Sequence, residues 1–249
     1  MDDDSTPADG TSGRGGSSDG ASGVGTSDGG TSGHGAAGPG TPDDGPSDDD
    51  RSDSGPSVGA AVRVLTLCTA NQCRSPMAEV LLRRALAARG VDADVRSAGS
   101  MRGGVRASPG SVRAMARRGL VLDAHLSHQQ TPADVSDADL VLCMARSHAR
   151  AAVVAHPAAW SRTFTLKELV RRGESVGARR PGQALADWLA VLGGGRQRAS
   201  LLAEDLSDDV ADPMGQPDPA YEATAAQLED LVERAVVLAF PDGVTTAAG

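Results

Sequence analysis

The chain has 249 residues and a formal net charge of −9, from 33 acidic and 24 basic side chains. Residues 1–58 contain twelve Asp and two Arg, a net charge of −10, which leaves the rest of the chain near neutral at +1. A nearly neutral folded part argues against nucleic acid as a partner. No apolar run approaches the ~18 residues that span a bilayer, which argues against a membrane partner.

Residues 1–58 consist mainly of Gly, Ser, Asp, Thr and Pro, without one aromatic side chain. Such a segment cannot bury enough apolar surface to offset its ordering entropy, so the sequence predicts a disordered acidic tail. The N-terminus has neither the basic region nor the apolar region of a signal peptide. Three cysteines, an odd number, in a chain without an export signal predict a reducing, cytoplasmic compartment.

A strand, a tight loop and a helix are predicted directly after the tail. β-favouring residues run from Val62 to Cys68, and apolar residues recur at helical spacing from Met77 onwards. Ser75 followed by Pro76 is typical of a helix start. The pattern therefore sets Cys68 at the end of a strand and opposite the N-terminus of a helix.

This arrangement predicts a chemistry. A loop that leads into a helix N-terminus points backbone N–H groups inward and, with the helix dipole, binds a tetrahedral oxyanion such as phosphate. Arg74 would add a planar fork for two phosphate oxygens. The same field would stabilise the thiolate of Cys68 and aim it at a bound phosphorus atom. One loop would then both bind the substrate and attack it.

The rest of the chain alternates between strands and helices. Further strands are predicted at 94–99, 140–144 and 163–165, and helices at 76–89, 109–118, 147–155, 166–171, near 185–192 and at 221–240, with a helical turn from 131. This alternation implies an α/β fold with right-handed crossovers and a parallel sheet covered on both faces. Ligands in such folds bind beyond the carboxyl ends of the strands, where Cys68 lies.

The run from Cys68 to Glu79, C-x5-R-S-P-M-A-E, resembles the motif of the low-molecular-weight protein tyrosine phosphatases. The resemblance covers residues 61–241 and implies a small doubly wound four-stranded parallel sheet with helices on both faces. It also implies a metal-independent phosphoric monoester hydrolase without a cofactor, acting on a phosphorylated protein or a small phosphoester. Segment 173–204 is longer than is usual in this family, so we expect a surface insertion there.

The resemblance assigns the central roles residue by residue. Cys68 would attack phosphorus to form a phosphocysteine, and Arg74 with the loop amides would stabilise the equatorial oxygens. Ser75 would donate to the thiolate; capping the helix is its alternative role, and one hydroxyl could serve both. The substrate-binding positions are those of the loop: Thr69, Ala70, Asn71, Gln72, Cys73 and Ser75.

Departure of the leaving group requires a general acid. Asp212, followed by Pro213, resembles the family's general-acid Asp-Pro pair. The proline fixes the backbone φ angle and so limits the positions that the carboxylate can take. Asp208 and Asp209 are nearby competitors, and only the following proline separates Asp212 from them.

Supporting roles also come from the resemblance. Ser97 and His125 look like the family residues that brace the loop; the alternatives are a serine at a strand end and a surface histidine without a role in the site. Asn71 suits a left-handed backbone position within the loop. Cys73 resembles the neighbour that forms a reversible disulfide with the nucleophile under oxidation.

The substrate is less well specified than the chemistry. Gly103 and Met214 stand where phosphotyrosine-specific members usually place aromatic walls, and Gln72 is polar where those members are often apolar. A protein phosphoarginine phosphatase is therefore an alternative.

Two further readings use the same loop for other purposes. A thiol-coupled arsenate reductase would need two more relay cysteines, and Cys143, predicted as inert core inside a strand, is the only candidate besides Cys68 and Cys73. A non-catalytic oxyanion-binding or redox-sensing module would use Cys68 and Cys73.

Overall fold

The structure, a computed structural model, describes residues 61–202 and 206–241. The predicted tail, 1–58, lies outside these residues. Four strands are present among them: β1 (Val62–Cys68), β2 (Ala93–Gly99), β3 (Leu140–Cys143) and β4 (Thr163–Thr165). They form one parallel sheet in the order β2-β1-β3-β4. The chain therefore winds to one side from β1 and then crosses to the other, so the carboxyl end of β1 lies at the switch point where such sheets bind ligands.

Seven helices cover the sheet in the described part of the chain. They are α1 (Arg74–Ala88), α2 (Pro109–Ala116), α3 (Pro132–Asp137), α4 (Arg146–Ala155), α5 (Leu166–Val176), α6 (Leu185–Leu192) and α7 (Asp218–Ala239). The larger core lies under α1, α2, α5, α6 and α7, and the smaller core lies under α3 and α4 on the opposite face. The predicted doubly wound four-stranded fold is thus confirmed. None of the described helices is long and apolar enough to cross a bilayer.

Two predicted helix boundaries differ from the structure for physical reasons. Helix α1 begins at Arg74, with Cys73 as its N-cap and no side chain capping it, so Ser75 lies inside the first turn and does not cap the helix. Helix α5, whose opening was predicted at 166–171, runs to Val176 through Gly173. A Cβ at Gly173 would lie 2.9 Å from a terminal methyl carbon of Leu238, so α7 packs closely on this turn of α5.

Segment 173–204 is more than the surface insertion that we expected. Trp188, Leu189 and Leu192 of α6 are all about 1% exposed and belong to the larger core. The predicted helix near 185–192 is present and packs against α5. The segment therefore contributes apolar surface to the domain as well as extending it.

A buried arginine fastens the end of this segment to β4 and α5. The guanidinium carbon of Arg196 lies 4.0 Å from the ring centroids of both Trp160 and Phe164. Its Nε donates to Glu168 at 2.9 Å, and its side chain is 2% exposed. Stacking on two rings and pairing with one carboxylate compensate for much of the cost of burying the charge.

We expect Arg196→Ala to lower the free energy of unfolding by about 3 kcal/mol, because it leaves Glu168 without this partner and opens a gap between two rings. The matched control is Arg234→Ala, since Arg234 pairs with Glu174 and Asp230 but is 43% exposed. The control should change stability by less than about 1 kcal/mol. Urea unfolding of both variants measures the difference, and equal losses would contradict the assigned role of Arg196.

Candidate active site

The Cys68 loop, residues 68–75, joins β1 to α1 and turns its carbonyl groups outward. The carbonyl oxygens of Thr69, Asn71 and Gln72 accept from Met101 N, His125 Nε2 and Ser108 N, at 3.0, 2.8 and 2.8 Å. Asn71 has a φ of +52°, the left-handed position predicted for it. Carbonyls that point outward leave the amide hydrogens directed into the loop, the arrangement that binds anions.

The sulfur of Cys68 receives two donors inside this loop. Asn71 N lies 3.2 Å from Cys68 Sγ, and the hydroxyl of Ser75 donates to the same sulfur at 3.0 Å. Cys68 is 3% exposed and lies opposite the N-terminus of α1. Both donors and the N-terminus of α1 direct partial positive charge toward this sulfur. Ser75 thus makes the predicted hydrogen bond to the sulfur but does not cap the helix.

The side chain of Asn71 holds the loop in shape. Its Nδ2 donates to Ser75 Oγ at 2.9 Å and to Ser97 Oγ at 2.8 Å. Its Oδ1 accepts from His128 N at 2.8 Å, while its carbonyl contacts His125. The structure therefore brings Ser97 and His125 to the loop. It also adds His128, which the sequence did not predict, because His128 donates through its backbone N–H and any residue type other than proline could do the same.

Gly99, the last residue of β2, packs directly against the backbone of the Cys68 loop. A Cβ at Gly99 would lie 2.7 Å from Thr69 O and 2.8 Å from Asn71 N, both of which are backbone atoms. Only glycine lets the loop pack this closely onto the strand, because backbone atoms cannot rotate out of the way.

Arg74 is buried and connects the Cys68 loop to the segment around Asp212. Its Nη1 donates to Val210 O at 3.1 Å, and its Nη2 lies 2.5 Å from Asp212 Oδ2 and 3.4 Å from Thr69 Oγ1. Its Nε is buried and has no hydrogen-bond partner in the described part of the chain. A buried N–H without a partner beside a nest of amides is a vacant donor for an anion.

The three aspartates that competed in the sequence are separated by their contacts. Asp208 is 5% exposed and pairs with Arg146 and Arg171, while Asp209 accepts from the backbone N of Arg146 at 2.9 Å. Asp212 alone of the three contacts Arg74, and its side chain is 45% exposed. The structure therefore places the carboxylate of Asp212, and not the other two, against the arginine of the Cys68 loop.

The other two cysteines occupy different environments. Cys73 Sγ lies 3.1 Å from Ser108 Oγ, and burial raises the pKa of this thiol despite that hydrogen bond. Burial also raises the pKa of the Cys143 thiol, which is fully enclosed in the smaller core, far above its ordinary value. All three thiols, that of Cys68 included, are free.

The rim of the site lacks an aromatic wall. A Cβ at Gly103 would lie 2.5 Å from Ser127 O, so the backbone leaves no room for a ring at that position. Met214 is 42% exposed, and its sulfur lies 4.0 Å from Cys73 Sγ. The five aromatic residues of the chain pack elsewhere: Trp160, Phe164, Trp188, Tyr221 and Phe240. In residues 61–202 and 206–241, no cluster of three or more acidic, histidine or cysteine side chains could hold a metal ion.

His148, near the start of α4, is a site residue that sequence reasoning missed. Its Nε2 lies 2.9 Å from Thr69 Oγ1, whereas its Nδ1 is buried with no partner among the described residues. Burial, and secondarily the charge of Arg74, lowers the pKa of His148 to about 4. A polar side chain following a buried strand at the carboxyl edge of the sheet was the available sequence clue.

The low pKa of His148 makes a prediction about stability. Between about pH 6.5 and pH 4, His148 is protonated in the unfolded state and neutral in the folded state. The free energy of unfolding should therefore fall as the pH falls through this window. From pH 7 to pH 5 the contribution is about 2 kcal/mol. Urea unfolding at both pH values should show a pH-dependent loss that is smaller by about this amount in His148→Gln. Identical pH dependence in both proteins would refute the assignment.

Comparison with known proteins adds a family to this geometry. A family model described as "Low molecular weight phosphotyrosine protein phosphatase" matches residues 63–180. A probable low molecular weight protein-tyrosine-phosphatase, EpsP of Ralstonia solanacearum, is 34% identical over 129 residues, which are 52% of this chain and 87% of that protein. A protein-arginine-phosphatase of Geobacillus stearothermophilus is 31% identical over 173 residues, which are 69% of this chain and 92% of that protein.

Solved structures agree with the sequence matches. The low molecular weight protein tyrosine phosphatase from T. tengcongensis superposes with a TM-score of 0.54 and 31% identity, covering 71% of this chain and 98% of that one. Asp212 lies beyond the residues that the family model matches, so its place beside the loop rests on the contact with Arg74. The chain therefore belongs to the low molecular weight phosphotyrosine protein phosphatase family, a family of hydrolases.

Proposed function

We propose that this chain is a cysteine-dependent phosphatase that hydrolyses phosphotyrosine in proteins, or related phosphomonoesters, through a phosphocysteine on Cys68. The observation that supports this most directly is the joint placement of Cys68, Arg74 and Asp212 at the carboxyl end of β1. The sulfur lies among amide donors, the guanidinium has a vacant N–H, and one half-exposed carboxylate touches that guanidinium. Nucleophile, anion site and proton donor are the three parts that the reaction needs.

In the first step, the thiolate of Cys68 forms the S–P bond while the bond from phosphorus to the leaving oxygen breaks. Asp212 gives its proton to that oxygen. Arg74 and the inward amides hold the equatorial oxygens, whose charge is greatest in the transition state. The hydroxyl of Ser75, which already donates to the sulfur, stabilises the thiolate before attack and again when it departs.

In the second step, Asp212 takes a proton from a water molecule that attacks phosphorus and breaks the S–P bond. Inorganic phosphate leaves, the thiolate is restored, and Asp212 is again protonated. The ion pair between Asp212 and Arg74 has to open for this cycle, and a bound phosphoryl group supplies the cause. Its negative charge competes for the guanidinium and repels the carboxylate, which favours the protonated form of Asp212.

Phosphoarginine in proteins is a second candidate substrate, favoured by the rim. Gly103 has no room for a ring, Met214 offers a flexible thioether, and Gln72 is polar. A protein-arginine-phosphatase is also among the relatives that cover most of this chain's folded part. The arsenate-reductase alternative is disfavoured, because Cys143, the only further thiol, is enclosed in the core. A cytoplasmic location remains part of the proposal and is compatible with three free thiols.

We expect Cys68→Ser to reduce hydrolysis of 4-nitrophenyl phosphate to the uncatalysed rate, since a hydroxyl without an activating base is a poor nucleophile. Acid quenching of the wild-type protein during turnover, followed by mass spectrometry, should find a phosphoryl group on Cys68. Cys143→Ser is the control and should keep its activity. Full activity in Cys68→Ser, or activity that requires a divalent metal, would sink the proposal.

We expect Asp212→Ala to lose about 10²-fold or more in kcat/KM with phenyl phosphate, whose leaving group needs a proton. The loss should be far smaller with 2,4-dinitrophenyl phosphate, because that phenolate departs without protonation. A loss of equal size with both esters would show that Asp212 is not the general acid.

Peptides that carry phosphotyrosine, phosphoserine or phosphoarginine separate the candidate substrates. The proposal expects turnover of the phosphotyrosine peptide to exceed that of the phosphoserine peptide, because a phenolate is the better leaving group. Faster turnover of the phosphoarginine peptide than of both others would establish the second candidate. Binding of phosphate without hydrolysis of any peptide would instead support the non-catalytic reading.

A further inference from the structure

Asp208, four residues before Asp212 in the chain, is a buried carboxylate that pairs with two arginines. The carboxylate of Asp208 receives Arg146 Nη2 on one oxygen at 2.9 Å and Arg171 Nη2 on both oxygens at 3.0 Å. Asp208 is 5% exposed. Both of its oxygens therefore have charged donors, which leaves this carboxylate no part in proton transfer.

The two arginines come from opposite faces of the sheet. Arg146 begins α4, which covers the smaller core, and Arg171 lies in α5, which packs on the larger core. Asp208 thus meets one cation from each layer at the carboxyl edge of the sheet. A buried carboxylate that is paired on both oxygens has little freedom to move.

The residues between Asp208 and Asp212 are also fastened. Asp209 O accepts from Lys167 Nζ at 2.6 Å, and Val210 N donates to Met144 O at 2.8 Å. Arg74 Nη1 holds Val210 O. The segment from 208 to 210 is therefore anchored. The carboxylate of Asp212, two residues further on, is half-exposed and hydrogen-bonds to Arg74 Nη2 and Met214 N.

Energetics indicate what such a pairing contributes. A buried ion pair adds little net stability compared with well-packed apolar groups, because desolvation offsets the attraction. Its charges do fix geometry, and a general acid works only within hydrogen-bond reach of the leaving oxygen. A displacement of about 1 Å costs on the order of 10²-fold in rate.

We infer that Asp208, clamped between Arg146 and Arg171, is a positioning residue that sets the reach of Asp212 toward the leaving group. The inference rests on the proposed function, in which Asp212 is the general acid. Asp208 does not touch the reacting atoms; it acts through the four residues that follow it.

The experiment compares kcat/KM for phenyl phosphate and 2,4-dinitrophenyl phosphate in Asp208→Asn. This ratio reports the step up to the phosphocysteine, in which the acid acts. We expect a loss of about tenfold or more with phenyl phosphate and of less than about threefold with the dinitrophenyl ester. Asp230→Asn, which removes an exposed partner of Arg234, is the matched control and should leave both values unchanged.

A second variant guards against misfolding. Arg171→Gln removes one arm of the clamp at a side chain that is 59% exposed, so the fold should tolerate it. In this variant kcat/KM for phenyl phosphate should again fall more than kcat/KM for the dinitrophenyl ester, by a smaller factor than in Asp208→Asn. An equal loss with both esters in Asp208→Asn, or no selective loss in Arg171→Gln when Asp208→Asn does not fold, overturns the inference.

Asp212→Ala, measured beside these variants, keeps the two proposals distinguishable. A selective loss in Asp212→Ala without one in Asp208→Asn refutes only the positioning role. No selective loss in Asp212→Ala removes the general acid itself, and the positioning role with it.

Discussion

The site depends on one buried cation. The side chain of Arg74 is 7% exposed, and a guanidinium cannot lose its protons to escape the cost of burial. It must therefore be surrounded by acceptors, and its neighbours provide them: a carbonyl from Val210, a hydroxyl from Thr69 and a carboxylate from Asp212. Two segments that are far apart in the chain are held together by that requirement. Among the described residues, Arg74 Nε has no hydrogen-bond partner, and in the proposed function this N–H donates to the bound phosphoryl group.

The three aspartates of the segment 208–212 show how one residue type takes different roles through its surroundings. Asp208 is enclosed by two arginines, Asp209 caps the backbone at the start of α4, and Asp212 remains half-exposed. A carboxylate that is paired with two cations can anchor its segment of the chain. A half-exposed carboxylate is accessible to a ligand with which it could exchange a proton. Composition is the same in each case, so the division arises entirely from packing.

Much of the fold could be predicted because its determinants are local. The strand, loop and helix from Val62 onwards follow from β-favouring residues, a proline in the first helical turn and helical spacing, all within a short window. The close approach of Leu238 to Gly173 of α5 could not, because the two residues are remote in sequence. The supporting contacts of Ser97 came from family likeness and not from residue pattern.

The parts of the site that the sequence did not indicate are contacts across long chain separations. His148 meets Thr69 from another strand end, and Asp208 meets arginines of two different helices. The sequence offered Asp208 only as a competitor of Asp212, and its arginine partners do not stand out by composition, since the chain is rich in arginine. Ser75 illustrates the opposite error: a residue type that often caps helices lies inside the first turn, because the helix begins at Arg74, and its hydroxyl donates to the sulfur of Cys68.

The thioether at the rim has a consequence for how tightly different parts of a ligand would be held. Met214 is unbranched and turns about several single bonds, so it can follow the outline of groups that differ in shape, whereas a ring offers one flat face. The Cys68 loop is the reverse, because the hydrogen bonds of Asn71 to Cys68 Sγ and Ser75 Oγ hold it in one conformation. In the proposed reaction, affinity is thus concentrated on the portion that every phosphorylated ligand shares, and variety is tolerated beyond it.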